Sequence, residues 1–287
     1  MKKALCIGIN NYPGFTNDLK GCVNDAIDWE VLLLHAGFET RKILDNQATR
    51  KNMLDGLEDL VVNASPGDEV VFTYSGHGTS VTDHSGDEID GYDEALVAYD
   101  GNILDDELRT ILQKSQKDVH IVVVADSCFS GTVTRALLSG TAMPRFQKTD
   151  DIAADVPVKK HLLADEEMVE ILITGCTDSE YSYDAQIDGR WNGAMSAYAT
   201  SVILAEQTYN DFYQLLRQRL PSNDYPQTPQ LEGSDANKNW KVFATNTEPL
   251  PSPDPVDGPD GIWDWIKKYW WVIVLVLVVG FILWRVL

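Results

Sequence analysis

The apolar run Val119-His-Ile-Val-Val-Val-Ala125 stops abruptly at Asp126-Ser127-Cys128-Phe129-Ser130-Gly131. A valine-rich run of this length reads as a strand buried on both faces, which requires a sheet covered on both sides. Such strands belong to α/β folds, whose ligands bind beyond the strands' carboxyl ends. At that edge this chain carries a thiol, an acid and a Ser-Gly turn. Taken alone, Cys128 reads as a packed thiol, because free cysteine is among the most buried residue types. A histidine at a matching strand end would make it a nucleophile instead.

The rest of the chain alternates in the way a parallel sheet demands. Lys3–Ile9 reads as the first strand. Asp18–Phe38 has helical apolar spacing through Leu19, Val23, Ile27, Val31 and Leu34, closed by Gly37. Glu39–Leu44 is a strand, Ala48–Asn63 an amphipathic helix, and Val70–Gly78 a second buried strand with a polar end. Asp105–Lys114 is a helix leading into Val119–Ala125. Thr132–Asp165 has weak periodicity and reads as a long surface connection. Glu166–Thr174 returns to strand, Gly193–Gln207 and Tyr209–Leu220 to helix, and Gln227–Leu231 and Trp240–Phe243 are short extended pieces. The residues before the tail suffice for a mostly parallel six-stranded sheet flanked by helices.

A net charge of −21 excludes nucleic acid as a partner, since phosphate binding needs clustered Lys and Arg. It suits divalent cations or basic substrates. Cys6, Cys22, Cys128 and Cys176 show no metal-type spacing, and reduced thiols are the simpler reading. A redox role lacks a resolving cysteine near Cys128 in sequence.

His77, in Tyr74-Ser-Gly-His-Gly78, sits just past one buried strand and Cys128 just past another. If the strands are neighbours, both face one crevice. A Cys–His pair needs no third acid: imidazole takes the thiol proton and the thiolate attacks a carbonyl. Gly78 leaves room for a substrate backbone and offers its amide to a developing oxyanion, and the Cys128 amide is a second donor.

At these residues the chain resembles the metacaspase branch of the caspase-fold cysteine peptidases (peptidase family C14). The resemblance runs through residues 74–78 and 126–131, Leu-x-Gly-Cys-x-Asn-Asp-Ala (19–26) and Asp-Gly-Tyr-Asp-Glu-Ala-Leu (90–96). It continues through Ile-Leu-Asp-Asp-Glu-Leu (103–108), Gly-Cys-x-Asp (175–178), Asn-Gly-Ala-Met (192–195) and Gln-Thr-Pro-Gln-Leu (227–231). It implies a caspase-like three-layer sandwich over residues 1–246. Within it, 1–134 would be large-subunit-like, 135–165 a connecting segment and 166–246 small-subunit-like. His77 and Cys128 would be the catalytic dyad of a latent endopeptidase, with roles in stress, defence or regulated cell death. Asp25 and Asp126 would form an acidic pocket for Arg or Lys before the cut. Asp90, Asp93, Asp105 and Asp106 resemble the positions of an activating calcium site, although one family ligand position, seven residues after the nucleophile, is Arg135 here. No cofactor is needed for the chemistry itself. Arg135, Arg145, Lys148, Lys159 and Lys160 are candidate self-cleavage points. Two other readings stay open: a caspase-fold peptidase of broader or different specificity with a non-calcium trigger, and a non-catalytic membrane-anchored scaffold or sensor.

Residues 247–261 form a Pro-rich linker, which stays extended. The apolar run Tyr269–Trp284 within 262–287, with tryptophans and tyrosine at its ends, reads as a single transmembrane anchor in a lipid bilayer. Lys267 and Lys268 against Arg285 favour a cytoplasmic catalytic domain.

Overall fold

The computed structural model describes residues 1–14, 18–82, 92–128, 142–147, 165–177 and 179–243. All fall within the first of two compact units, Met1–Glu248 and Pro249–Leu287. The first half runs β1 (Lys2–Gly8), α1 (Cys22–His35), β2 (Glu39–Leu44), α2 (Arg50–Val62), β3 (Glu69–Ser75), β4 (Gly78–Thr82) and β5 (Tyr92–Ala98). It continues with β6 (Gly101–Leu104), α3 (Asp105–Leu112), β7 (His120–Asp126) and β8 (Ala142–Pro144). The second half runs β9 (Glu170–Thr174), β10 (Tyr183–Ile187), β11 (Arg190–Gly193), α4 (Ala194–Val202), α5 (Tyr209–Leu216), β12 (Gln230–Glu232) and α6 (Asp235–Lys238).

The main sheet is six-stranded, in the order β12-β9-β7-β3-β1-β2. Its pairings are parallel except β12 with β9. Period-two alternation explains why β7 is apolar throughout. Ile121 and Val123 pack with Met53, Leu57 and Leu112 of α2 and α3, whereas Val122 and Val124 pack with Trp29, Met195 and Phe212 of α1, α4 and α5. The mostly parallel sheet between helical layers fits the caspase-like α/β class. Two antiparallel three-stranded sheets, β4-β5-β6 and β11-β10-β8, complete the arrangement.

Three expectations are corrected. The strand read as Val70–Gly78 ends at Ser75, and the chain turns at Gly76-His77 into β4. The strand read as Glu166–Thr174 begins only at Glu170, after a short 3-10 turn at Asp165–Glu167. Helix α1 does not bury the stripe read from its spacing: Val31 and Leu34 are exposed, whereas Asp25, Ala26, Trp29, Leu32 and Leu33 are buried. The face is set by Trp29, the largest apolar group available, and by a charge pair at Asp25.

The expected transmembrane segment (262–287) and its linker lie outside the described residues. Among the described residues no helix is long and apolar enough to cross a membrane.

Trp29 is buried against Phe243, edge to face at 6.4 Å, and its indole N–H donates to Ser196 Oγ at 3.3 Å. Trp29→Ala should lower unfolding stability by about 3–5 kcal/mol in urea denaturation.

Candidate active site

Parallel pairing puts the carboxyl ends of β1, β3, β7 and β9 along one edge of the sheet. Ser75 of β3 stands opposite Asp126 of β7, so the turn holding His77 and the segment holding Cys128 leave the sheet side by side. The His77 backbone is fixed from both directions. Its N–H donates to Tyr12 Oη at 2.9 Å, and its carbonyl accepts from Tyr74 Oη at 2.6 Å and from the Val97 amide at 3.0 Å. The imidazole lies against the Tyr12 ring with centroids 4.9 Å apart. Next in the chain, Gly78 packs so closely on Cys128 that an added methyl would overlap the Cys128 carbonyl oxygen. Only glycine lets these two backbones approach. The Cys128 sulfur accepts from the Ser182 amide at 2.6 Å, and its S–H reaches the Ser182 carbonyl at 3.3 Å.

Sequence reasoning missed what fills the crevice. Arg145, in the segment read as a surface connection, is completely buried. Its guanidinium enters a pocket of three buried carboxylates. Nη2 lies 2.7 Å from Asp25 Oδ2 and 2.9 Å from Asp184 Oδ1, and Nη1 lies 3.2 Å from Asp126 Oδ2. Nη1 also donates to Ser75 Oγ at 2.7 Å and to the Asp126 carbonyl at 3.1 Å. The Arg145 carbonyl accepts from both the Gly78 and Cys128 amides, at 3.0 and 3.3 Å, and its own N–H donates to the Ser182 carbonyl at 3.0 Å. Upstream, β8 pairs with β10, Met143 opposite Asp184. Downstream, the Gln147 amide donates to the Gly78 carbonyl at 3.0 Å. Residues 142–147 therefore cross the site as an extended peptide held on both sides of Arg145.

The pocket walls explain how so many like charges coexist. Asp126 accepts from the Ser196 amide in the first turn of α4 at 2.8 Å and from Ser182 Oγ. A helix N-terminus favours a carboxylate there. Asp184 accepts from the Lys20 and Gly21 amides, each at 2.9 Å, tying the loop before α1 to the pocket. Asp25 accepts from the Gly193 amide at 2.9 Å and from Ser75 Oγ at 2.6 Å. Burial pushes the Asp25 carboxyl up to about 6; Arg145 opposes this and Asp126 adds to it. Burial works against the Arg145 charge, but Cys22 and the three carboxylates outweigh it and hold the guanidinium charged.

Against known proteins, the metacaspase peptidase C14 domain model matches residues 2–136. Metacaspase-1 of Schizosaccharomyces pombe is 32% identical over 81% of this chain and 67% of its own length. The chain belongs to the metacaspase family. Metacaspase-1 of Candida glabrata is 30% identical, over 81% of this chain and 72% of its own. In structure, protein GSU0716 from Geobacter sulfurreducens superposes with a TM-score of 0.68 at 29% identity, covering 85% of this metacaspase and 98% of that chain. This metacaspase is a caspase-like cysteine peptidase.

The metal candidates are not gathered in the same way. Asp90 lies outside the described residues. Asp93 is buried on β5, whereas Asp105 and Asp106 open α3 and pair with Arg109 at 3.1 and 2.7 Å. Among the described residues no group of three or more His, Cys, Asp or Glu side chains is arranged to hold a metal. With a guanidinium already on two of the four carboxylates, the described part of the set does not fit a calcium ion, which takes six to eight oxygens.

Among the missed residues, Asp184 and Ser182 carried a faint signal in Tyr181-Ser-Tyr-Asp184, a short polar stretch between strands. Arg145 carried none beyond being one basic residue among five.

Asp25 titrates against Arg145 with Asp126, Ser75, Asn192 and the Gly193 amide around it. Its folded value, about 6, lies above its ordinary 3.8. As pH falls through about 6 it takes up a proton, and one anionic partner of Arg145 is lost. Hydrogen exchange corrected for intrinsic rate should show weaker protection of the Arg145 and Gln147 amides at pH 5 than at pH 7.5. Equal protection at both would contradict this coupling.

Proposed function

We propose that the chain is an endopeptidase that cuts after arginine, and after lysine less well, and that it is latent because its own Arg145 fills the specificity pocket. The observation that carries this reading is Arg145 itself: side chain among Asp25, Asp126 and Asp184, carbonyl on the Gly78 and Cys128 amides. A substrate carbonyl placed there faces two preorganised donors for its oxyanion. Two guanidinium nitrogens meet separate acceptor sets, a match that a single ammonium reproduces only in part.

In the proposed cycle Cys128 loses its proton to His77, and the sulfur attacks the carbonyl carbon of the basic residue. The oxyanion is held by Gly78 N–H and Cys128 N–H. The C–N bond breaks as His77 returns the proton to the leaving amine. Water then adds to the thioester, and the freed carboxylate departs with Cys128 restored. Applied to the chain's own segment, the bond cut is Arg145–Phe146; the other candidates, Arg135, Lys148, Lys159 and Lys160, lie outside the described residues.

Cleavage of Arg, Lys and Asp peptides by the purified chain tests the specificity. The expected order is Arg over Lys, with no Asp cleavage, and Asp126→Ala should lower kcat/KM on Arg peptides roughly 30-fold or more. Equal cleavage of Asp peptides would overturn it. On incubation the chain should acquire a new N-terminus at Phe146, seen by intact mass, and Cys128→Ala should not. Gly78→Ala should abolish peptide cleavage, because its methyl has no room beside Cys128.

Calcium as trigger is the less favoured part of the reading, given Arg109 on Asp105 and Asp106. A tether to a lipid bilayer rests on the sequence of 262–287 alone. Flotation with liposomes, lost on deleting residues 247–287, is the check.

A further inference from the structure

A second sulfur stands beside the nucleophile. Cys176 lies two residues beyond β9, and Cys128 two residues beyond β7. These strands are parallel neighbours with Ala125 opposite Thr174, and the Gly175 amide carries the pairing on to the Ala125 carbonyl at 3.0 Å. Adjacent strands lie about 4.8 Å apart. Both cysteines are reduced and buried, Cys128 at 0% and Cys176 at 6% exposure. The Cys176 sulfur sits 3.7 Å from the Ser127 carbonyl oxygen, and the neighbouring Cys128 side chain, together with burial, holds the Cys176 thiol well above its ordinary range. The other two cysteines lie elsewhere, Cys6 on β1 and Cys22 at the start of α1, both buried.

We propose that Cys128 and Cys176 form a reversible disulfide under hydroperoxides, so that Cys176 is a resolving thiol built into the peptidase site. In the first step the Cys128 thiolate attacks the peroxide; its sulfur gains a hydroxyl, the O–O bond breaks, and the second oxygen leaves as water or alcohol after taking a proton. In the second step the Cys176 sulfur attacks the Cys128 sulfenic sulfur. The S–O bond breaks, and the hydroxide leaves as water with the Cys176 proton. Two thiols are oxidised and one peroxide is reduced. Cys176 is a weak nucleophile while it holds its proton, but it stands on the strand end beside that of Cys128, and proximity offsets this. Cα separations of 4.4–6.8 Å accept a disulfide, a range that neighbouring strands span. The peroxide reaches Cys128 when residues 142–147 leave the crevice, by the route a substrate peptide would use. Disulfide formation itself stands apart from the peptidase reading; only its consequence, loss of cleavage, rests on it.

The test treats the full chain with hydrogen peroxide, then alkylates it after acid denaturation and maps cysteines by mass spectrometry. A cross-linked Cys128–Cys176 peptide is expected, with Cys6 and Cys22 alkylated. Peptidase activity should fall with cross-linking and largely return with dithiothreitol. In Cys176→Ser, and in Cys176→Ala as a second variant, Cys128 should instead reach the sulfinic acid, and dithiothreitol should restore nothing. Cys128 sulfinic acid without a cross-link in the natural chain, or four fully alkylated cysteines, would overturn the proposal. Because the cross-link is read by mass, it stands or falls independently of whether peptides are cut.

Discussion

A single buried guanidinium organises the site. Asp25 of α1, Asp126 of β7 and Asp184 of β10 converge with no exposed surface, and carboxylates so close repel unless a cation lies between them. Arg145 supplies that cation from a segment that belongs to none of the three elements. Its contacts join the early helix, the central strands and the late hairpin. Removing one member of such a buried cluster leaves the remaining charge uncompensated, typically at a cost of about 3–5 kcal/mol. One ion cluster therefore ties the early helix, the central strands and the late hairpin to one another.

The layered α/β core was legible because its signals are strong and local. Val119–Ala125 is apolar throughout because Ile121 and Val123 face one helical layer while Val122 and Val124 face the other. His77 and Cys128 were legible as polar ends of such strands. The face of α1 was misread because spacing counts apolar side chains alike. Trp29 outweighs Val31 and Leu34, and Asp25 is drawn inward by a partner more than a hundred residues away. Arg145 was illegible for the same reason. A buried charge is stable only through contacts distant in sequence, so nothing near it distinguishes it from an exposed one. Cys176 is parallel: it is remote from Cys128 along the chain and adjacent across two strands.

Close backbone approach is the second constraint. Gly78 lies against Cys128, and a side chain at Gly193 would overlap Asp126 and Arg145. These glycines let three carboxylates, two amides and two sulfurs share one small volume. Gln227 fastens the outer wall, accepting from the Tyr183 amide at 3.0 Å and donating to the Gly175 carbonyl at 2.7 Å. The matched segments 175–178, 192–195 and 227–231 thus include neighbours of one pocket rather than separate functions.

The β8 strand and Arg145 lie along β10 as a foreign peptide would, with one difference: they are covalently attached. A tethered segment competes at an effective concentration of about millimolar, whatever the amount of protein. On the proposed reading, a peptide arriving from solution must overcome that local excess before its own affinity counts. On the same reading, cutting the chain beside Arg145 would therefore change peptide affinity without altering any residue of the pocket.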